Sequence, residues 1–492
     1  MRSHPLCALC VRRPEREAPE QGRCSRIRGA HAPDAITLLT KKTMPDAFSC
    51  ASAAWRKLDP YRADRARCKR YVYGDQWNDV IDTPMGRMTE HDFIRLQGQQ
   101  PLKNNILRRI LRNVLGLYRA QYSVPQLSAK DCGLKGADLR HTNARIRRWF
   151  HANRMEELAP RLLEEFLISG MVAVKTEEDT IAPVTPDNFF FHSDGYDSRG
   201  CDVDLIGEVH SVGFGTLLER FCLTADDYRR VSEIYSATGR RGGECRLMEV
   251  WTKETQLFSL IHDERQATLR IVPVGEAEAL SAPDAPLCAR TSWRRRWYAP
   301  DGTLLRECEP ADAHPYVFKA YPYIDGEVHS YVSDIIDQQR YVNRLITLYD
   351  FIMRSSAKGV LLFPDECIPR GMDLQEVADE WSRFNGVIPY RARPGLPMPT
   401  QVSANSTNIG ITELLKIEMQ MLEDISGVSP TLQGKLVANG TSGTLFAQQN
   451  EAAQTSLLDV LRSFDDFLRN LARTAEPWNG GFPASAPARR LP

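Results

Sequence analysis

The chain has 492 residues, enough for two to four domains with sizeable cores, and its 42% hydrophobic and 26% charged residues are ordinary for globular proteins. Lys plus Arg and Asp plus Glu both total 63. The resulting zero net charge argues against a protein that coats nucleic acid, yet leaves room for DNA passing through a neutral channel, where strong phosphate contacts would act as a brake.

Residues 1–43 carry Cys7, Cys10 and Cys24 among Arg, Pro and Ala, with no apolar periodicity. With His4 or His31 they could form half a zinc site, but no second CxxC and no two-His spacing follow, so a disordered or non-native extension is expected, with order resuming at Met44. Cys7–Val11 is too short for a secretory h-region, and nowhere does a run approach the roughly 18 apolar residues of a membrane span. The 12 cysteines lie mostly singly in apolar or strand-like segments, the pattern of reduced, buried thiols in a cytoplasmic protein.

Residues 47–123 look mainly helical. Ile106, Ile110, Val114 and Leu117 form one stripe. Lys103, Arg108, Arg109 and Arg112 cluster near its start, as a solvated or intersubunit face or as a phosphate-facing patch. Two more helices are expected over Leu139–Asn153 and Glu157–Ser169, with Gly170 as the stop. From Met171 the period shortens. Strands are expected at Met171–Lys175, Asn188–His192, Leu205–Val212, Cys245–Lys253, Gln256–Ile261, Leu269–Val274, Ser292–Tyr298 and Tyr316–Tyr321, with a helix at Asp226–Ser236. This is an α+β body with a largely antiparallel sheet. The turn Asp194–Asp204 is rich in Asp, and a metal-dependent hydrolase built on it is the alternative reading of the chain. It lacks a calcium loop's ligand order and closing Glu, and the chain has no HExxH, no GxSxG elbow and no phosphate loop.

His329–Ser355 is expected to be one long helix, with Val332, Ile335, Ile336, Tyr341, Val342, Leu345, Ile346, Tyr349, Ile352 and Met353 on its apolar side. A small insert follows: a strand at Gly359–Phe363, a loop at Pro364–Pro369, a helix at Leu374–Ser382, a second strand at Gly386–Arg391 and a Pro-rich exit. The next helix, Ile409–Gly427, places Leu414, Ile417, Met421 and Ile425 on an arc widened by Ile411, Leu415 and Leu422, expected to be its buried side. Glu413, Lys416, Gln420 and Glu423 share the opposite arc, toward water or a lumen. Thr407 or Asn408 is expected to cap the start and Gly427 the end. The loop 428–443 contains Gly434-Lys435, but the spacing from Gly427 is too long for a phosphate loop and Leu436 stands where a hydroxyl is needed. A mobile loop carrying one Lys is expected. The last helix places Phe446, Ala453, Leu457, Val460, Phe464, Leu468 and Leu471 on one core stripe, and the Pro/Ala/Gly-rich tail after Arg473 reads as disordered.

From about Met44 to Leu471 the chain resembles the portal proteins of tailed bacteriophages and prophages. The resemblance rests on YVYGDQW (71–77), PLKNN (101–105), HPYVFKAYPYIDGEVHSYVSDIIDQQRYVNRLITLYD (314–350), SAKGVLLFPDECIP (356–369), WSRFNGVIPY (381–390), NIGITELLKIEMQMLEDISGVSPTLQGK (408–435) and SGTLFAQQ (442–449). It implies a portal-type α+β subunit without catalysis, cofactor or metal. The wing would be 44–328, the stem helices 329–355 and 403–427, the clip 356–402, the tunnel loop 428–442 and the return helix 443–473, with 474–492 a disordered tail where the family usually continues into a crown. A truncated or remnant prophage gene is the corresponding expectation for the ends.

The resemblance further implies a homo-oligomeric ring, normally a dodecamer, at one capsid vertex of the virion, assembled in the host cytoplasm. Its implied partners are the terminase large subunit, capsid or scaffold and neck proteins, and double-stranded DNA passing without sequence specificity; no membrane is involved. Gln433, Lys435, Asn439, Thr441 and Ser442 would lie near DNA. Glu413, Lys416, Gln420 and Glu423 would line the channel, and Asp365, Glu366, Arg370, Arg391 and Arg393 of the clip would dock terminase and neck proteins.

Overall fold

Local capping signals start most of the early helices. In a computed structural model, α1 (Ala47–Lys57) begins at Asp46, whose carboxylate accepts the Phe48 N–H. α2 (Asp59–Tyr73) has Pro in its first turn and stops at Gly74, which takes the left-handed conformation that favours glycine. Thr89 caps α3 (Glu90–Leu96) and Asn105 caps α4 (Ile106–Gln121). α5 (Gly136–Ala152) and α6 (Met155–Ser169) follow, α6 ending at left-handed Gly170 as its sequence suggests. The structure describes residues 46–128, 136–177, 179–193, 200, 202–238, 243–263, 268–273, 287–358, 360–383, 386–392, 394–395, 397–402, 410–428 and 443–474.

The α+β class is as expected, with twelve helices among the described residues. Residues 47–123 are not helical throughout: β1 (Val80–Thr83) and β2 (Gly86–Thr89) form a hairpin between α2 and α3. Three antiparallel strands, β3 (Met171–Glu177), β4 (Thr180–Val184) and β11 (Tyr316–Ala320), are ordered β11-β3-β4. A larger antiparallel sheet is ordered β10-β9-β7-β6-β5, with β8 (Thr268–Pro273) also on β7. Its other strands are β5 (Phe189–His192), β6 (Leu205–Gly213), β7 (Glu244–Asp263), β9 (Leu287–Tyr298) and β10 (Leu304–Glu307).

β7 corrects the sequence reading, which broke it into Cys245–Lys253 and Gln256–Ile261. It runs unbroken for 20 residues. The polar stretch at the expected break is held by cross-strand charge: Glu254 accepts from Arg294 Nε at 3.0 Å and from Arg296 Nη2 at 2.6 Å, both on β9. A strand needs no apolar residue where its neighbours neutralise it. The helix α7 (Phe214–Phe221) was not anticipated; α8 (Ala225–Thr238) contains the predicted 226–236 segment. Two short strands, β12 (Tyr323–Ile324) and β13 (Glu327–Val328), make a final small hairpin before the long helix.

Two main cores result. The sheet core packs Met171, Ala173, Phe189, Phe190, Val250, Tyr316 and Phe318 under α1. A carboxylate is sealed beside it: Glu249 on β7 is fully buried, with Lys175 Nζ of β3 at 2.9 Å, His210 Nε2 of β6 at 2.9 Å and Trp251 Nε1 at 2.9 Å. Arg295 Nε of β9 lies 2.7 Å from the same carboxylate. The helical core joins α2, α4, α5 and α6 to the last helix, α12 (Gly443–Thr474). Tyr118 and Phe464 meet edge to face at 5.4 Å, and Phe464 lies 5.9 Å from Phe166. On α12 the expected Leu457, Phe464, Leu468 and Leu471 are buried, joined by Leu461, Phe467 and Ala472. On α4, Ile106, Ile110 and Val114 are buried as expected; Leu117 is only partly so, and Leu107, Leu111 and Tyr118 complete the face.

Gly170 shows how tightly the two parts meet. Its φ is +72°, and a Cβ there would stand 1.9 Å from the His329 carbonyl oxygen. Its own carbonyl accepts the Tyr321 N–H at 2.9 Å. Gly170→Ala is therefore expected to lower unfolding free energy by about 2–4 kcal/mol, from left-handed strain plus the clash. A chemical-denaturation midpoint equal to wild type would contradict this account of the junction.

Candidate functional site

The long helix α9 (Ser333–Lys358) starts at Ser333, not His329. The hydroxyl of Ser330 accepts the Ser333 N–H at 3.0 Å, and residues 331 and 332 are a turn before it. Its buried face carries Ile335, Ile336, Val342 and Leu345, as the period suggests. It also buries Gln339, Asn343 and Thr347, spaced by one turn each. Burying amides is costly unless every polar atom finds a partner, and here the partners come from the two short strings at 71–77 and 101–105 and from the first turn of α4 that follows the second.

Gln339 Oε1 accepts the N–H groups of Ile106 at 3.1 Å and Leu107 at 3.0 Å. These are first-turn donors of α4 that no intrahelical carbonyl can reach. Gln339 Nε2 donates to the Asn104 carbonyl at 2.7 Å and to Asn343 Oδ1 at 3.1 Å. Asn343 Oδ1 also takes the Asn104 N–H at 3.0 Å, and Asn343 Nδ2 donates to Gln76 Oε1 at 2.6 Å. Thr347 Oγ1 accepts the Leu102 N–H at 3.1 Å. Gln76 Nε2 reaches the Tyr71 carbonyl at 2.8 Å, Asn105 Nδ2 the Val72 carbonyl at 2.9 Å, and Trp77 Nε1 the Leu102 carbonyl at 3.1 Å. The two strings are thus a polar clamp that fixes α9 against α2 and α4.

Charge secures the flank. Glu90, at the start of α3, is buried between Arg340 and Arg344 of α9, with Arg340 Nη2 at 3.0 Å and Arg344 at 2.5 Å. Asp79 accepts from Arg70 Nη2 at 2.8 Å, Arg67 Nε at 2.9 Å and the Tyr71 hydroxyl at 2.9 Å. Burial works against the charge of Asp79, but the hydrogen bonds from Arg70, Arg67 and Tyr71 outweigh it and hold the carboxyl below the usual range.

The helix α11 (Ile411–Ser426) packs antiparallel on α9. Tyr331 donates to the Ser426 carbonyl at 2.5 Å, and seven residues on, Gln338 donates to the Glu418 carboxylate. Its start corrects the expected cap: Gly410, left-handed, precedes it, while Thr407 and Asn408 lie outside the described residues. Gly427 ends it as expected, its carbonyl accepting Ser456 Oγ of α12 at 2.8 Å.

The buried side of α11 also differs from the sequence reading. Leu422, Glu418 and Ser426 are buried and Leu415 and Met419 pack against the core. Ile417, Met421 and Ile425 are 51%, 48% and 51% exposed. At about 100° per residue the helix thus has three sides: a packed one, an exposed apolar one and a polar one. Glu413, Lys416 and Gln420 are exposed on the polar side, with Glu423 partly so. On α9, Tyr341, Leu348, Tyr349 and Met353 are exposed too, although Tyr341, Tyr349 and Met353 belong to its predicted apolar side.

Between the two helices, β14 (Val360–Leu362) pairs antiparallel with β15 (Thr400–Val402), in register Val360↔Val402. The predicted second strand, Gly386–Arg391, is not a strand. Pro389 has no N–H for a ladder, and the chain passes so close beneath α10 (Leu374–Ser382) that a Cβ on Gly386 would stand 2.0 Å from the Glu380 carbonyl. α10 has the predicted bounds because its capping box is local: Asp373 accepts the Glu376 N–H at 2.7 Å and Glu376 returns to Asp373 N at 3.2 Å. Asp365 and Glu366 form a 3-10 turn, with Arg370 just beyond it. The Arg391 N–H bonds the Cys367 carbonyl at 2.9 Å, bringing that residue to the same segment. All four side chains are exposed and in no ion pair among the described residues. Leu362, Val387, Tyr390, Met398 and Val402 are exposed apolar neighbours in this insert.

Arg393 lies outside the described residues, as do Gln433, Lys435, Asn439, Thr441 and Ser442. So do most positions of the Asp-rich turn; of its described part, Asp204 is bound to His192 Nδ1 at 2.7 Å. Among the described residues no three His, Cys, Asp or Glu side chains stand together as a metal site. Sequence reasoning missed Gln339, Asn343 and Glu90. The signal was present as amides one turn apart inside an apolar stripe, but their partners lie far away in the chain.

A family model described as Phage P22-like portal protein matches residues 51–475. No curated protein sequence matches the chain.

Proposed function

We infer the role of this chain from its family: it belongs to the phage P22-like portal proteins, structural head-to-tail connectors of bacteriophages. Membership implies a homo-oligomeric ring at a capsid vertex of the virion, in contact with capsid and terminase. Within that frame, α9 and α11 are the stem, residues 356–402 the clip, 428–442 the tunnel loop, and residues 44–328 with α12 the wing. Double-stranded DNA passes through the ring without sequence specificity during packaging and ejection. The chain itself carries no chemistry; energy comes from the terminase. The exposed Asp365, Glu366, Arg370 and Arg391 serve as docking groups for the terminase large subunit and neck proteins, and Glu413, Lys416, Gln420 and Glu423 face the lumen.

The observation that carries this reading is the three-sided character of α11. Three apolar residues on successive turns, each about half exposed in a single subunit, sit between a packed side and a polar side. A ring accounts for that: one side meets the subunit's own α9, one meets the neighbouring subunit, and one meets the channel. The arrangement matches the heterologous, closing contact of a cyclic assembly.

Electron micrographs and particle-size measurements of purified protein test it. Wild type is expected to form rings. Ile417→Glu, Met421→Glu and Ile425→Glu together are expected to leave folded monomers, because the three side chains contribute little to the isolated subunit's core. Wild type that stays monomeric under every assembly condition, or a triple variant that still closes into rings, would sink the proposal.

A further inference from the structure

The zero net charge of the chain conceals a strong local imbalance. Residues 103–154 hold twelve Lys or Arg against two Asp or Glu, so the remainder is acidic by the same margin. Nine of the twelve are Arg, and most sit on α4 and α5. α4 contains no acidic residue at all, and α5 only Asp138.

Arg108 pairs with Glu164. Arg109, Arg112 and Arg119 on α4, and Arg140, Arg147 and Arg148 on α5, are exposed and in no ion pair among the described residues. On α4 the three arginines fall within about 80° of arc over about 15 Å, and on α5 within about 100° over about 12 Å. Each helix buries its opposite side: Ile106, Ile110 and Val114 on α4, Ile146 and Phe150 on α5. The arginines are therefore fixed on rigid elements rather than on loops.

We propose that the outward faces of α4 and α5 bind the phosphate backbone of duplex DNA, independently of sequence. The surface goes beyond the channel reading above, since it lies on neither α9, α11 nor the loop 428–442. Three observations favour a polyanionic duplex over other partners. Arg predominates, and its planar fork suits phosphate oxygens. Among the described residues no large apolar side chain is exposed between residues 97 and 222, whereas protein interfaces are anchored by buried aromatic and apolar groups. The apolar sides of both helices are already used in the core, so neither can lie in a lipid surface.

The test uses full-length protein and fluorescence anisotropy of a labelled mixed-sequence duplex, titrated across salt concentrations. Arg109, Arg112, Arg119, Arg140, Arg147 and Arg148 are changed together to Gln, and in a second variant together to Lys. The Gln variant is expected to lose at least about tenfold in affinity at 0.1 M salt, and its log affinity against log salt to flatten by about 0.9 for each phosphate contact removed. The Lys variant should keep most of the slope. A second duplex of unrelated sequence should bind equally. An unchanged slope in the Gln variant overturns the proposal. So does displacement of the duplex by polyglutamate at equal charge, which would assign the surface to an acidic protein. Micrographs of the same samples separate this from the ring: loss of salt-dependent binding with rings intact supports a distinct surface, whereas wild type without rings fails only the channel reading.

Discussion

Replacing Glu249 by Ala is expected to cost about 3–5 kcal/mol of unfolding free energy, the range for removing one partner of a buried ion pair. The carboxylate is fully buried and is the counter-charge for Lys175 at 2.9 Å, whose side chain is 11% exposed, and for Arg295 at 2.7 Å. Without it, Lys175 and Arg295 are left to share the half-exposed Glu177, at 2.8 and 3.4 Å, as their one remaining counter-charge among the described ion pairs. Burial opposes the charge of Glu249, but the His210 hydrogen bond and the fields of Lys175 and Arg295 outweigh it and pull the carboxyl from 4.5 down to about 2. Because the folded value lies below the unfolded one, the unfolded chain binds the proton first. The contribution is complete above about pH 4.5 and is lost as pH falls toward 2. That displacement corresponds to about 3 kcal/mol, in keeping with the mutational range. Urea midpoints measured from pH 2 to 7 should therefore fall less steeply below pH 4.5 in Glu249→Gln than in wild type. Parallel acid limbs in the two proteins would show that the cluster does not hold the sheets together.

Gln339→Leu is expected to cost about 2–4 kcal/mol, for a different reason. No charge is stranded. Instead the Leu107 N–H loses its acceptor, the Ile106 N–H keeps only the Asn104 carbonyl at 2.8 Å, and the Asn104 carbonyl and Asn343 amide each lose a partner. An orphaned buried donor costs about 1–3 kcal/mol, the weakened Ile106, Asn104 and Asn343 bonds add to it, and leucine's added apolar contact offsets little of that. The consequence is also specific in place. Amide hydrogen exchange should accelerate first in the opening turn of α4 and along α9, while the sheet core around Glu249 keeps its protection. Uniform loss of protection would mean that the clamp is only one part of a single cooperative core. In the ring, the same substitution loosens the stem helix from its wing anchor, so assembly should become more temperature-sensitive.

Both residues escaped sequence reading for one reason. Glu249 stands in a stretch where alternating exposure is unremarkable, and Gln339 in a helix where an amide passes for a surface position. Their roles depend on partners 74 and 233 residues away. Elements governed by nearby residues were legible. The insert helix has its predicted bounds because Asp373 and Glu376 close a capping box within four positions, and Gly170 and Gly427 end their helices through their own left-handed conformations. From Leu457 onward the core stripe of α12 was likewise clear, because apolar spacing alone marks one side of a helix that packs on only one side; the side chains of Phe446 and Ala453, also predicted there, lie outside the described ones.

The limits appear where a neighbour supplies what the local pattern lacks. β7 continues through Glu254 because Arg294 and Arg296 reach it from β9. The segment 386–391 has the apolar character of a strand but is carried beneath α10, so β14 pairs with 400–402 instead.

By itself, the sequence determined the α+β class, the order of long helix, insert and long helix, and the polar arc of Glu413, Lys416, Gln420 and Glu423, all properties of spacing within one segment. Only the tertiary structure decided which of the two apolar flanks of α11 packs inward. Glu418 and Ser426 belong to the packed line because Gln338 of α9 and Tyr331 in the turn before it satisfy them. That leaves Ile417, Met421 and Ile425 facing out. Periodicity records how apolar a side is; burial is set by which side has a complementary partner within reach.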